Sequence, residues 1–303
     1  MRLALYPWSK SIKGSIERIA ELASGDGIRI DVCKEAPKWS KYDGAILNND
    51  FRPLPVPRVT YLTGLAVRRA LAKPSYTKGR LKLGDHRGVL TNSNTAVLAL
   101  KKKGIKAMCL YRPYPVHIER KPPPLPKEHR ILWYWKPGWA YCESLDQDIL
   151  KAMLQVARSN IEIWVISNKH APVEGLPKHA NIRALGRCDF SSILPQVRGM
   201  VRLTGDFDWG RSNFDVVCSG RWTLNLNAWE FEAPDGLFSV PGPGGVHRCN
   251  MLSARTIAEA VKLVVPLVRQ GHDIDVIHGY ASSRFREEKV RANWQKQLKK
   301  RFS

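Results

Sequence analysis

Acidic side chains are scarce: 27 Asp and Glu stand against 49 Lys and Arg in 303 residues, a formal net charge of +22. Cysteines are few, six at positions 33, 109, 142, 188, 218 and 249, with no C-x-x-C pair. That excludes a disulfide scaffold and a zinc ribbon, and the thiols read as buried groups in a reducing compartment. No stretch approaches the ~18 uncharged apolar residues of a membrane span; the best, 257–268, is broken by Lys262 and Pro266. The N-terminus (MRLALYPWSKS) enters a strand at once and has no long apolar segment or cleavage site, so a cytoplasmic protein is expected. Also missing are G-x-x-x-x-G-K-[ST], H-E-x-x-H and G-x-S-x-G, which sets aside phosphate-loop hydrolases, zincins and serine hydrolases. No helix-turn-helix, zinc-finger or RNA-recognition signature is present.

What is there is globular material, 44% hydrophobic and 25% charged, long enough for two cores. Its positive charge is unevenly spread. Residues 1–130 hold 26 basic and 10 acidic side chains, residues 131–283 hold 15 of each, and 284–303 hold 8 and 2. Net charges of +16, zero and +6 in succession point to a surface built for a polyanion on the first half and the tail. Duplex DNA rewards such a surface through counterion release, and an anionic membrane would also be attracted.

Apolar runs alternate with helical patterns. Strands are expected at 2–7, 28–33, 42–47, 59–62, 88–91 and 105–111, with helices at 11–23, around 65–69 and at 95–103. Six prolines crowd 113–126, a density that only an extended linker tolerates. Strands resume at 131–135, 161–166, 181–185, 200–203 and 222–226. Helices are expected at 145–157, 190–196, 215–219, 255–269 (a capping box at Thr256 to Glu259) and from 283. Such alternation means parallel sheets covered on both faces. The expected organisation is an α/β N-terminal domain 1–112, a linker 113–130, an α/β domain 131–280 and a basic terminal helix 281–303.

Asn92-Ser93 with the helix after it, and Gly104-Ile105-Lys106-Ala107, resemble GT-B glycosyltransferases of the glycogen-synthase-like group. Asn181–Gly186 (NIRALG) and Val201–Thr204 (VRLT) are similar to that group's later strands, and 208–220 (DWGRSNFDVVCSG) to its sugar-nucleotide segment. The resemblance follows element order over nearly the whole chain. It implies two Rossmann-like parallel-sheet domains, a terminal helix crossing back to the N-terminal domain, and a nucleotide-sugar donor, most readily a UDP-sugar. It further implies a phosphate-contacting Lys136, Thr204 in the "R-x-T" segment, and two acidic residues. Asp215 is the second of these; Asp206 and Asp208 both remain open as the first. Arg221-Trp222 departs from the pattern, which has a small residue and Pro there.

The chemistry suits these residues. A leaving diphosphate needs cations or helix N-terminal amides. The 210–214 stretch (GRSNF), with Ser212 and Asn213, precedes the helix expected at 215, and Arg202 and Arg211 add charge. Asp215 would accept from ribose hydroxyls. Asp206-Phe-Asp208 spells the D-x-D of metal-dependent transferases, but a two-domain chain points away from a metal requirement. The Gly-rich 241–245 (PGPGG) reads as a plain loop.

An inverting transfer needs a general base facing the acceptor. Asp50, after the third strand, is one candidate; Asp85-His86 is the other. The acceptor is expected to be anionic, contacted by Arg68, Arg69, Lys78, Arg80, Lys82, Arg87, Lys101, Lys102, Lys103, Arg284 and Arg286. Tyr6, Trp8, Trp39 and Phe51 are candidates for stacking on an exposed base. The whole resembles the DNA-modifying glycosyltransferases of bacteriophages, which implies a monomer acting on hydroxylated pyrimidines in double-stranded DNA. A GT-B enzyme building envelope polysaccharide or glycolipid at a membrane surface is the alternative, and a non-enzymatic DNA-binding protein a third reading.

Overall fold

Two all-parallel sheets organise the chain. The computed structural model describes residues 1–7, 13–92, 94–111, 121–135, 146–167, 175–202, 211–225, 262 and 264–303. These divide into two units, the first holding described residues 1–111 and 284–303, the second 121–283.

In the first unit, β1 (Arg2–Tyr6), β2 (Arg29–Val32), β3 (Gly44–Asn48), β4 (Arg58–Leu62), β5 (His86–Thr91) and β6 (Ala107–Cys109) lie in the order β2-β1-β3-β4-β5-β6. The inner strands are largely apolar because both faces are covered, and every residue of β3 and β4 is buried, Asn48, Arg58 and Thr60 included. One apolar cluster packs the sheet against α1 (Lys13–Ala23) and the C-terminal α10 (Glu287–Phe302) through Ile16, Ile19, Val290, Trp294 and Leu298. A second packs it against α2 (Gly64–Ala72) and α4 (Asn94–Lys102) through Ala66, Val67, Ala96 and Leu100. Each Ile, Leu or Val among them contributes about 1.5–3 kcal/mol when fully buried.

The last helix does cross back to the N-terminal sheet. Trp294 Nε1 donates to the Tyr111 carbonyl (2.8 Å), Gln295 to the Ser24 carbonyl (3.0 Å), and Arg18 pairs with Glu287. One helix was expected from residue 283; the structure has α9 (Ile274–Phe285) and then α10, separated by Arg286 in an extended conformation. Glu287 and Glu288 in the first turn favour a fresh N-terminus there. An additional helix, α3 (Pro74–Leu81), begins on Pro74, whose missing N–H costs nothing at a first helical position.

In the second unit, β7 (Arg130–Tyr134), β8 (Glu162–Ile166), β9 (Ile182–Gly186), β10 (Gly199–Arg202) and β11 (Trp222–Asn225) follow the order β11-β10-β7-β8-β9. Its helices are α5 (Asp146–Arg158), α6 (Phe190–Ile193), α7 (Arg211–Cys218) and α8 (Val264–Gln270). α7 starts at Arg211, not at 215 as the sequence suggests. Asn213 is fully buried and accepts from the Thr223 hydroxyl of β11 (3.2 Å), a tertiary tie that draws the earlier residues into the helix. Among the described residues no helix is long and apolar enough to cross a membrane.

Candidate functional site

Ligands of parallel sheets bind beyond the C-terminal strand ends where the strand order reverses. In the first sheet that point lies between β1 and β3. Asn49, just past β3, adopts a left-handed φ of +58°, which Asn tolerates. Its N–H donates to the Tyr61 carbonyl (2.8 Å), its Oδ1 accepts from the Thr63 N–H (2.8 Å), and its Nδ2 donates to the Thr63 hydroxyl (3.1 Å). The turn is thereby locked to the start of α2, and Asp50 leaves the line of the strand.

Asp50 accepts from the Arg52 backbone N–H (2.9 Å) and from Arg52 Nε (2.5 Å), which leaves acceptor capacity on both oxygens. Arg52 continues to the Tyr6 hydroxyl at the end of β1 (3.3 Å), and the Tyr6 ring meets Trp39 edge-on at 5.9 Å. A cavity of about 620 Å³ opens here, lined by Asp50, Phe51 and Arg52 on one side and by Arg69, Lys73, Tyr76 and Arg80 on the other. Its size is that of a small-molecule site. Arg80 donates to the Tyr76 hydroxyl (3.1 Å) and lies over that ring. Arg52, Lys73 and Tyr76 were not among the sequence candidates; the alternating prolines at 53, 55 and 57 mark the extended chain that Arg52 heads, whereas no local pattern singles out Lys73 or Tyr76.

Asp85 and His86 sit at the opposite edge, where β5 begins. Arg87 binds both Asp85 oxygens (2.9–3.2 Å) and holds that carboxyl below its usual range. Burial first, then the charge of Arg58, pushes the His86 imidazole down to about 4, and its Nε2 faces the Thr60 hydroxyl at 3.2 Å. Of the two base candidates, only Asp50 lies at the end of the sheet where ligands bind.

In the second sheet the order reverses between β7 and β10. Arg202 ends β10 there, 5% exposed, with its guanidinium 5.0 Å from the centre of the Tyr134 ring that ends β7. Ser212 and Asp215 are half-buried on α7, while Asn213 is turned inward to β11 and its amide Nδ2 has no partner among the described residues. Lys136, Thr204, Asp206, Asp208, Trp8, the 241–245 loop, the 256–259 capping box and the side chains of Arg68 and Arg211 lie outside the described residues. Among the described residues no three His, Cys, Asp or Glu side chains gather as metal ligands.

The unusual Arg221-Trp222 pair belongs to the core. Arg221 is fully buried and donates to the carbonyls of Val197 (3.3 Å), Ser219 (2.5 Å), Pro123 (2.8 Å) and Pro124 (2.9 Å). The Trp222 ring occupies space that a Cβ on Gly199, its partner in β10, would invade at 2.2 Å.

The cations assigned to the acceptor divide between the two edges of the first sheet. Arg69 and Arg80 line the cavity, whereas Lys78, Lys82 and Arg87 line a second hollow at the N-terminal strand ends. Lys101, Lys102 and Lys103 are exposed where α4 ends, Arg286 is exposed between α9 and α10, and Arg284 is half-buried.

No family profile matches the sequence, and no curated protein does. Solved structures do match its fold. The pneumococcal O-GlcNAc transferase GtfA, in complex with UDP and GlcNAc, aligns at 8% identity and a TM-score of 0.50, over 85% of this chain and 56% of that one. A TarM variant of S. aureus in complex with fondaparinux, alpha-GlcNAc-glycerol and UDP aligns at 10% identity and 0.53, over 86% and 56%. The spinosyn rhamnosyltransferase SpnG aligns at 11% and 0.52, over 99% and 100%. This chain spans little more than half the length of the GtfA and TarM chains. The likeness establishes the GT-B fold, two Rossmann-like parallel-sheet domains.

Proposed function

We propose that this protein is a glycosyltransferase that moves a sugar from a nucleotide-sugar donor to a hydroxyl on a pyrimidine base in DNA. The observation that carries this reading is the charged side chains at the strand-order reversal of each sheet: Arg202 beside Tyr134 in one, Asp50 with Arg52 and Tyr6 in the other. The second unit takes the donor. Arg202 supplies positive charge to the leaving diphosphate, and Asp215 accepts from the ribose. The UDP in the GtfA and TarM structures supports a UDP-sugar.

The first unit takes the acceptor. Asp50 removes the proton of the acceptor hydroxyl while its oxygen attacks the anomeric carbon. The sugar–phosphate bond breaks and the nucleoside diphosphate leaves with the electron pair. Arg69, Lys73 and Arg80 neutralise phosphates flanking the target, and Tyr76 and Phe51 offer ring faces to a base drawn out of the duplex. The cavity suits one extruded nucleotide.

The test is transfer of labelled sugar from UDP-sugars to duplex DNA carrying hydroxymethylated pyrimidines. Asp50→Asn should lower kcat by about 10²–10⁴-fold, the usual contribution of a general base, with UDP and DNA affinity retained. Undiminished turnover would remove Asp50 from this role, and label on lipid instead of DNA would overturn the acceptor.

A further inference from the structure

We propose that the N-terminal edge of the first sheet is a second phosphate-binding surface, along which the backbone of duplex DNA lies away from the transfer cavity. The inference rests on the nucleic-acid acceptor proposed above. Lys78, Lys82, Arg87 and Lys106 line a hollow of about 480 Å³ where β5 and β6 begin. The three lysines are exposed, and none has an ion-pair or hydrogen-bond partner among the described residues. Lys78 and Lys82, four apart at the end of α3, form a like-charge pair of the kind that destabilises a helix.

Along the surrounding chain, acidic residues are scarce. Between Asp50 and Glu119 the sequence has 14 basic residues and a single acidic one, Asp85, which Arg87 already holds. Behind the hollow lies Arg58, fully buried, donating to the carbonyls of Arg80 (3.2 Å) and Leu83 (2.6 Å), so the turn that carries Lys82 is clamped in place. Arg87 donates to the carbonyl of Arg301 (2.6 Å), which ties the basic tail to the same edge.

A concave cationic surface with little exposed apolar area around it fits phosphodiester groups better than a lipid surface. Among the described residues only Tyr76, Leu83 and Val276 are large apolar side chains left exposed, and only Leu83 adjoins the lysines. One such side chain is an ordinary surface feature, not a membrane patch.

The experiment is fluorescence anisotropy of labelled, unmodified duplex DNA titrated over a range of salt concentrations, comparing wild type with the triple variant Lys78→Gln, Lys82→Gln, Lys106→Gln. Each phosphate contact contributes about 0.9 to the slope of log K against log salt, so the variant's slope should be shallower by about 3. Its thermal melting should be no lower than that of wild type, and its transfer of sugar to a free hydroxymethylated nucleoside should equal that of wild type. An unchanged slope overturns the second surface and leaves the acceptor reading standing. Failure of wild type to bind DNA, with retention on anionic phospholipid vesicles, overturns both.

Discussion

Replacing Arg221 by methionine should destabilise the second unit by about 3–4 kcal/mol, the order expected when two buried carbonyls lose their donor. The magnitude follows from the four carbonyls that the guanidinium serves. Those of Val197 and Ser219 are buried with it, and a buried carbonyl left unpaired costs about 1–3 kcal/mol. Those of Pro123 and Pro124 are only partly buried, so water can replace the lost donor at little cost. Methionine refills much of the volume and removes the penalty of burying a charge, which keeps the loss below the sum of the parts. Arg221→Lys should recover about half, because an ammonium has three donors but no planar fork to reach separate carbonyls at once. Urea unfolding followed by tryptophan fluorescence reads the effect, since Trp133 and Trp222 of the same unit are fully buried. The curve should be fitted with a transition for each unit. A loss under about 1 kcal/mol for methionine, or equal losses for methionine and lysine, would refute the reasoning.

Two further outcomes concern the first unit. Trp294→Ala should cost about 3–5 kcal/mol, the range for a large aromatic removed from a core, whereas Trp294→Phe should lose only the bond to Tyr111, about 1 kcal/mol; similar losses for both would show that packing does not hold α10. His86 should make the same unit acid-sensitive. Its imidazole is depressed to about 4 in the folded state, so the unfolded chain takes up the proton first. The associated stability is complete above the ordinary imidazole value and fades as pH falls from there towards 4, by at most about 2 kcal/mol between pH 7 and pH 5. Urea midpoints at the two values, compared with His86→Asn, measure it; a midpoint shift that His86→Asn leaves unchanged would assign the acid sensitivity elsewhere.

The local pattern of apolar runs, helix stops and charge was enough for the α/β class, the parallel sheets and the terminal helix, because each depends on periodicity over a few residues. It also marked Asp50 as a residue following a strand. Strand order is not local. Only the assembled sheet decides that β1 and β3 are neighbours, and therefore that Tyr6 meets Arg52, the partner of Asp50, across 46 residues of chain. The same holds for Arg221: its charge looked like a break in a motif, and its carbonyl partners come from segments 24 and nearly 100 residues away. The sign and placement of charge along the chain were legible by counting. That the first sheet would split those cations between its two edges was not, because α3 turns Arg80 towards one hollow and Lys78 and Lys82 towards the other. Sequence spacing sets which residues can share a helix, but only packing determines which cavity each face meets.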